Sequence, residues 1–211
     1  MRLKFTKEHR EFWRTRKINW ATHYGNWDHP HRFLITKILC QFGWLSLMEL
    51  GCGAGANLAN IVRKIQNRQL GGVDINQDAI KEASKVLTGA FLRVGSVEDL
   101  PMSDKATDVI LSDMCLIYVD PFKIGKVIKE IRRVARNNIV FCEFHSESWY
   151  DRMKLRISSG YNSYNYKKLL EKYGFYDIQM LKLTEKDWPG GNPQKTFAYI
   201  IKATVPKRNY Y

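Results

Sequence analysis

Cysteine is scarce and scattered in this chain: four residues in 211, at positions 40, 52, 115 and 142, with no C-x-x-C pair. That spacing argues against a disulfide framework and a thiolate zinc site, and it predicts buried free thiols in a reducing compartment. Long apolar runs are also missing. Nothing approaches the roughly 20 residues of a membrane span. Residues 1–17 are charged and aromatic where a secretory signal would be apolar. The expected location is therefore cytoplasmic. There is no internal repeat and no low-complexity tract, and the length suits a single domain spanning 1–211. Acidic residues are few relative to basic ones, 21 Asp and Glu against 34 Lys and Arg, leaving a formal charge of +13.

Such an excess raises the local concentration of anionic partners, whether nucleic acid, phosphorylated metabolite or lipid headgroup. It is concentrated in two places. Residues 1–37 carry nine Lys and Arg against three Asp and Glu, and residues 122–136 carry six against Glu130 alone. The second stretch also has a plain structural reading. Ile124, Val127, Ile128, Ile131 and Val134 recur at helical spacing, so its cations occupy the wet face of an amphipathic helix.

Apolar runs and helical stripes alternate along the chain. Strands are expected at 45–50, 69–74, 90–94, 107–112 and 138–143, with helices after the first, second and fourth, the last beginning at Pro121. Mostly continuous apolar strands separated by helices predict a parallel sheet covered on both faces. The C-terminus breaks the pattern. Strand-like segments at 175–183 and 196–204 are separated only by a loop at 184–195, too short for a crossover, so they should pair antiparallel. The fold class is thus α/β: a doubly wound, seven-stranded, mostly parallel sheet over 45–211, closed by an antiparallel hairpin. A helical preface spans 1–44, in which Pro30 opens a helix with Phe33, Leu34, Ile38 and Phe42 facing inward. His29-Pro30-His31 reads more simply as that helix start than as a metal pair, and no metal is expected.

The functional signal sits at the strand ends, where doubly wound sheets collect ligands. The first strand runs into Glu49-Leu50-Gly51-Cys52-Gly53-Ala54-Gly55-Ala56-Asn57, a glycine turn opening a helix. The second ends in Asp74, a carboxylate placed to accept two hydrogen bonds from a ribose diol, and Ile75 follows it. The third leads into Gly95-Ser96-Val97-Glu98-Asp99-Leu100-Pro101, and the fourth into Ser112-Asp113-Met114-Cys115. The glycines alone also satisfy the dinucleotide fingerprint, which keeps a nicotinamide-dependent oxidoreductase as an alternative. Glu49 argues against it. A carboxylate two residues before the first glycine repels a pyrophosphate and attracts an ammonium, favouring an adenosine that bears an amino acid.

In these features the chain resembles the class I S-adenosylmethionine-dependent methyltransferases over roughly 45–205. The E-x-G-x-G-x-G pattern falls on Glu49, Gly51, Gly53 and Gly55, the ribose carboxylate on Asp74, and the adenine segment on Ile75, Ser96 and Val97. Ser96 stands where the family usually has Asp. The resemblance implies S-adenosylmethionine as cofactor, with Cys52, Asn57, Asp113 and Met114 near its amino-acid end. It also implies an N-terminal lid in which Tyr24 or Trp20 closes over it. DNA amino-methylases carry a proline-rich motif after the fourth strand; Ser112-Asp113-Met114-Cys115 has none.

The expected reaction is methyl transfer to an oxygen or nitrogen of a small, anionic metabolite such as a sugar or nucleotide-linked intermediate. An RNA or DNA acceptor is the alternative. Glu143 and His145, just past the fifth strand, are the candidate bases, since an imidazole titrating near about 6.5 can accept a proton at neutral pH. Tyr118, His31, Tyr161 and Trp188 are the expected acceptor-binding residues. Tyr118 follows the fourth strand; the others come from three aromatic-rich segments over the strand ends: the preface with Trp13, Trp20, Tyr24 and Trp27, the span 149–166 with Tyr164 and Tyr166, and the loop at 188–192.

Overall fold

The computed structural model describes residues 6–207 of the chain, so the first five residues of the preface and the last four of the core lie outside the described residues. The sheet is built from β1 (Ser46–Leu50), β2 (Gln69–Asp74), β3 (Phe91–Val94), β4 (Thr107–Asp113), β5 (Ala135–Phe144), β6 (Tyr176–Lys182) and β7 (Ala198–Thr204). Their order is β3-β2-β1-β4-β5-β7-β6. The first five run parallel, and β7 lies antiparallel between β5 and β6. The expected hairpin closes the sheet, and its connection carries a short helix, α9 (Gln194–Phe197), within the span read as loop.

Both faces are covered, because side chains alternate across each strand. Leu47 and Leu111 face one apolar layer with Leu58 and Ile61 of α4 (Ala56–Lys64), Ala83 of α5 (Gln77–Val86), and Ile35 and Leu39 of α3 (Pro30–Leu39). Met48, Leu50 and Ile110 face the other with α6 (Ile124–Val134) and α8 (Tyr166–Lys172). The five apolar residues of α6 are buried, while Lys126, Lys129 and Arg132 are exposed. That helix starts three residues after Pro121, because Asp120 first closes a turn by accepting the Phe122 and Lys123 amides.

The preface forms α1 (Thr6–Thr15), α2 (Trp20–Tyr24) and α3. In α3 the buried stripe is His31, Ile35 and Leu39, an i, i+4, i+8 series, with Leu34, Ile38 and Phe42 packed at its edge. Phe33 falls outside that phase and is 38% exposed, correcting its inward assignment. The four thiols are free as expected, but Cys40 at the end of α3 is exposed, not buried.

Candidate active site

The turn after β1 passes through Gly51, Gly53 and Gly55 at φ of +65°, +53° and +80°. Only glycine adopts this left-handed region without strain, so the alternating glycines are a backbone requirement. The Gly51 and Cys52 amides donate to the Val73 carbonyl at 2.7 and 3.2 Å, fastening the turn to β2. Asp74 completes the tie: its carboxylate accepts from the Gly53 amide at 2.9 Å and the Asn76 amide at 2.8 Å. Burial pushes the Asp74 carboxyl up despite those donors.

Beneath the turn lies a buried polar floor. Glu49 is 2% exposed and Asn57 4%. The Asn57 amide donates to Glu49 Oε1 at 2.6 Å and to Asp113 Oδ2 at 2.9 Å. His31 Nε2 lies 2.9 Å and Arg32 Nη1 3.0 Å from that same Asp113 oxygen. Burial works against the Asp113 charge, but His31, Arg32 and Asn57 prevail and hold its carboxyl well below the usual range. Glu49 goes the other way. Burial, reinforced by the negative charge of Asp113, pushes it up to about 8. Three acceptors in this cluster have no donor among the described residues: Glu49 Oε2, Asn57 Oδ1 and Asp113 Oδ1. All three residues line the cleft. Buried acceptors of this kind carry a desolvation cost unless met by a donor. This set suits a cation with several N–H groups.

The other strand ends complete the cleft. Ile75, Ser96 and Val97 line it, as do Cys52, Met114 and Cys115. The Ser96 hydroxyl already accepts the Glu98 amide at 3.2 Å, which holds its own loop. Met114 sits at φ +51°, aimed by the turn that leaves β4. Over the top, Trp13 of α1 packs edge-on to Tyr24 and Tyr118, at centroid distances of 5.9 and 5.1 Å, and Trp20 of α2 is buried against Ala54 and Ala79. Asn76 anchors this roof, donating to the Trp13 and Arg16 carbonyls at 2.7 and 2.9 Å. Tyr118, Tyr161 and Trp188 form an aromatic wall of the cleft, whose volume is about 1180 Å³.

Most residues singled out from the sequence meet here; Gly55, His31, Glu143 and His145 do not, nor do the aromatic Trp27, Tyr164 and Tyr166. Gly55 caps α4 outside the cleft lining, where a Cβ would run into the Leu87 side chain. His31 stands behind Asp113, stacked on Trp188 at a centroid distance of 4.0 Å, so it positions the site and does not line it. Glu143 is fully buried and accepts the Ser112 hydroxyl and the Cys115 and Leu116 amides through one oxygen, at 2.7–3.0 Å. It fixes the turn after β4. Burial, offset by those donors, raises its carboxyl to about 7. His145 borders a separate groove, where its Nδ1 accepts the Tyr166 amide at 3.2 Å and burial lowers its pKa. Neither expected base reaches the cleft: side chains alternate along β5, and its last residues are consumed by pairing with β7 and by the turn of β4. Tyr164 and Tyr166 likewise belong to the core. Sequence reasoning missed Arg32, and also Arg10, Arg14, Glu98 and Lys123 at the mouth. Only its place beside His31 could have flagged Arg32.

Strand order, glycine turn, ribose-type carboxylate and closing hairpin are together those of the class I, Rossmann-like S-adenosylmethionine-dependent methyltransferases. Residues 47–138 match the family model for a methyltransferase domain, and the chain has that fold. Among characterised proteins it is 28% identical over 116 residues to the phthiotriol/phenolphthiotriol dimycocerosates methyltransferase of Mycobacterium tuberculosis, covering 52% of this chain and 42% of that protein. It is 29% identical over 91 residues to the malonyl-[acyl-carrier protein] O-methyltransferase of Hamiltonella defensa, covering 43% and 34%. The match thus spans less than half the length of either relative. Of the solved structures, a geranyl diphosphate C-methyltransferase from Streptomyces coelicolor superposes with a TM-score of 0.69 at 13% identity, over 96% of this chain and 98% of that one. A complex of the Haloferax volcanii Trm112 methyltransferase activator with a putative methyltransferase gives 0.68 at 16%, over 95% and 98%. At such identities the likeness shows the fold. The cofactor of this fold is S-adenosylmethionine, and the unpaired acceptors of Glu49, Asn57 and Asp113 fit its ammonium group. No helix among the described residues is long and apolar enough to cross a membrane, and no cluster of three metal-ligating side chains occurs among them.

Proposed function

We propose that this chain transfers the methyl group of S-adenosylmethionine to an oxygen or nitrogen of a small acceptor with an aromatic or aliphatic body. The observation that carries the reading is one continuous cleft with two chemistries: buried unpaired acceptors on Glu49, Asn57 and Asp113, and an aromatic lining from Tyr118, Tyr161 and Trp188. Its volume of about 1180 Å³ exceeds the roughly 300–1,000 Å³ of a single-ligand pocket, leaving space for two molecules side by side.

S-adenosylmethionine, when bound, supplies an electrophilic methyl on a sulfonium. The chain's part is to hold, align and exclude water. Glu49, Asn57 and Asp113 receive the ammonium, Asp74 the ribose, and Ile75, Ser96 and Val97 the adenine. The roof of α1 and α2 keeps water out, and alignment of this kind contributes about 7–11 kcal/mol to barrier lowering. Glu49, whose carboxyl is pushed up, is committed to the ammonium in this reading, and Asp113, Cys115 and Tyr118 are not poised as strong bases. Asp113 is held by His31 and Arg32. Burial raises the Cys115 thiol, and burial with the neighbouring Tyr161 and Tyr24 phenols raises the Tyr118 hydroxyl, so both stay neutral. The acceptor nucleophile is therefore one that needs no strong base, such as an amine or a carboxylate.

An acidic group on the acceptor would meet Arg10, Arg14 and Lys123 at the mouth. Those cations already face acids: Lys123 bonds Glu98 at 3.0 Å and Arg14 bonds Glu11 at 2.7 Å. The anion would have to displace them, and the four cations of α6, Lys126, Lys129, Arg132 and Arg133, lie outside the cleft. This distribution disfavours a polymeric nucleic acid as acceptor, and Glu49 disfavours a nicotinamide dinucleotide. Two measurements test the reading. S-adenosylhomocysteine should raise the melting temperature and NAD should not; the reverse would overturn the cofactor. Incubation of cell extract with isotopically labelled S-adenosylmethionine, followed by mass spectrometry, should label small molecules; label confined to RNA or DNA would overturn the acceptor class.

A further inference from the structure

Helix α7 (Trp149–Ser159) carries an apolar stripe that the fold leaves uncovered. Trp149, Tyr150, Met153 and Ile157 are 64%, 67%, 40% and 51% exposed. At about 100° per residue they occupy roughly 100° of the helix circumference. Leu155, the buried residue of the helix, lies on the opposite side. Cations flank the stripe on both edges, Arg152 and Arg156 on one and Lys154 on the other. Lys154 and Arg156 have no hydrogen-bonded or ion-paired partner among the described residues. Arg152 donates to the Ser146 and Glu147 carbonyls at 2.9 Å each, neutral acceptors that leave its charge unbalanced. The helix ends at Gly160, and the next residue, Tyr161, is part of the cleft wall.

An exposed stripe with Trp and Tyr, edged by Arg and Lys, has the chemistry of a helix lying in a lipid interface. We propose that this face of α7 rests on a bilayer bearing acidic headgroups, with the apolar stripe in the headgroup boundary and Arg152, Lys154 and Arg156 on lipid phosphates. The stripe thereby sets the acceptor end of the cleft at the membrane surface, where an apolar acceptor is dissolved. That last consequence rests on the methyl-transfer reading; the docking surface itself does not. A second copy of the chain is the other occupant such a stripe could have, and charge argues against it. A two-fold contact sets this patch against its own copy, so three cations on each side would be brought against a patch of the same sign. An acidic surface gives each a partner and suits the net charge of +13.

Flotation of the full chain with lipid vesicles tests the proposal. Binding is expected to vesicles of phosphatidylcholine containing one-third phosphatidylglycerol, not to phosphatidylcholine alone, and it should weaken as salt is raised. The pair Trp149→Ser and Ile157→Ser should lower vesicle affinity at least about tenfold. The pair Lys154→Glu and Arg156→Glu should do the same, since each basic residue near an acidic surface contributes about fivefold. Both double variants should bind S-adenosylhomocysteine like the wild type, showing that the fold is intact. Wild-type protein that ignores acidic vesicles, or variants that float as it does, would overturn the proposal. So would a dimer in sedimentation velocity that both double variants abolish, which assigns the face to a second copy. Loss of S-adenosylhomocysteine binding by the wild type would instead count against the cofactor reading.

Discussion

The affinity for S-adenosylhomocysteine should depend on pH through a single buried group, Glu49. In the free cleft its carboxyl sits at about 8, pushed up by burial and by Asp113, with Asp74 adding to the effect and Asn57 and Arg32 opposing it. A ligand ammonium beside Oε2 requires the ionised form, so binding below that value expels a proton. The ionised fraction of the free cleft is about one quarter at pH 7.5 and about one hundredth at pH 6. Affinity should therefore fall about 25-fold across that range, some 1.9 kcal/mol at about 1.36 kcal/mol per tenfold. Two neighbouring groups do not mimic this. Asp113 stays ionised throughout, and His29, whose pKa is lowered to about 4 by burial and by His31 and Arg32, stays neutral. Titration calorimetry in buffers of different ionisation enthalpy reads both quantities, the dissociation constant and close to one proton released at pH 6–7. In Glu49→Gln the slope and the proton release should vanish, and affinity at pH 7.5 should fall about tenfold or more as a charged hydrogen bond is lost. A wild-type constant that stays level from pH 6 to 7.5, with no proton released, would refute the assignment of Glu49 to the ammonium.

Other outcomes follow from the same structure. The ligand-free fold should lose stability as pH rises from 6 to 9. Glu49 and Glu143, at about 8 and 7, hold protons there that the unfolded chain has released, so the stability they add is complete below the unfolded value and is lost through the folded ones. Thermal melts should show the decline, and Glu143→Gln should flatten it. His145→Ala should leave turnover within about twofold, because its ring lies outside the cleft; a drop beyond about tenfold with cofactor affinity unchanged would return it to the reaction. Asn76→Ala removes the cap of α5 along with both tethers to the roof, so it should cost about 2–4 kcal/mol in urea unfolding and weaken S-adenosylhomocysteine binding several-fold.

Much of this protein is written locally in its chain. Strand and helix periodicity, the alternating glycines and the acidic end of β2 are patterns of neighbouring residues, and each follows from backbone geometry or from which face a short segment buries. These features sufficed for the seven strands, the antiparallel ending and most of the residues that line the cleft. The catalytic neighbourhood was a different matter. Glu143 and His145 have the right chemistry at the right strand end, but which way each points depends on how β5 meets β4, β7 and the Tyr164–Tyr166 segment. Periodicity cannot supply that register. The partnership of His31 with Asp113 spans 82 positions, and Arg32 looks like any arginine on a helix until that helix docks. Nor does the sequence distinguish the apolar stripe of α7 from a core stripe, since only packing decides which apolar residues find cover. Local pattern fixed what each segment becomes; tertiary packing fixed which side chains meet, and with them the electrostatics of the floor beneath the glycine turn.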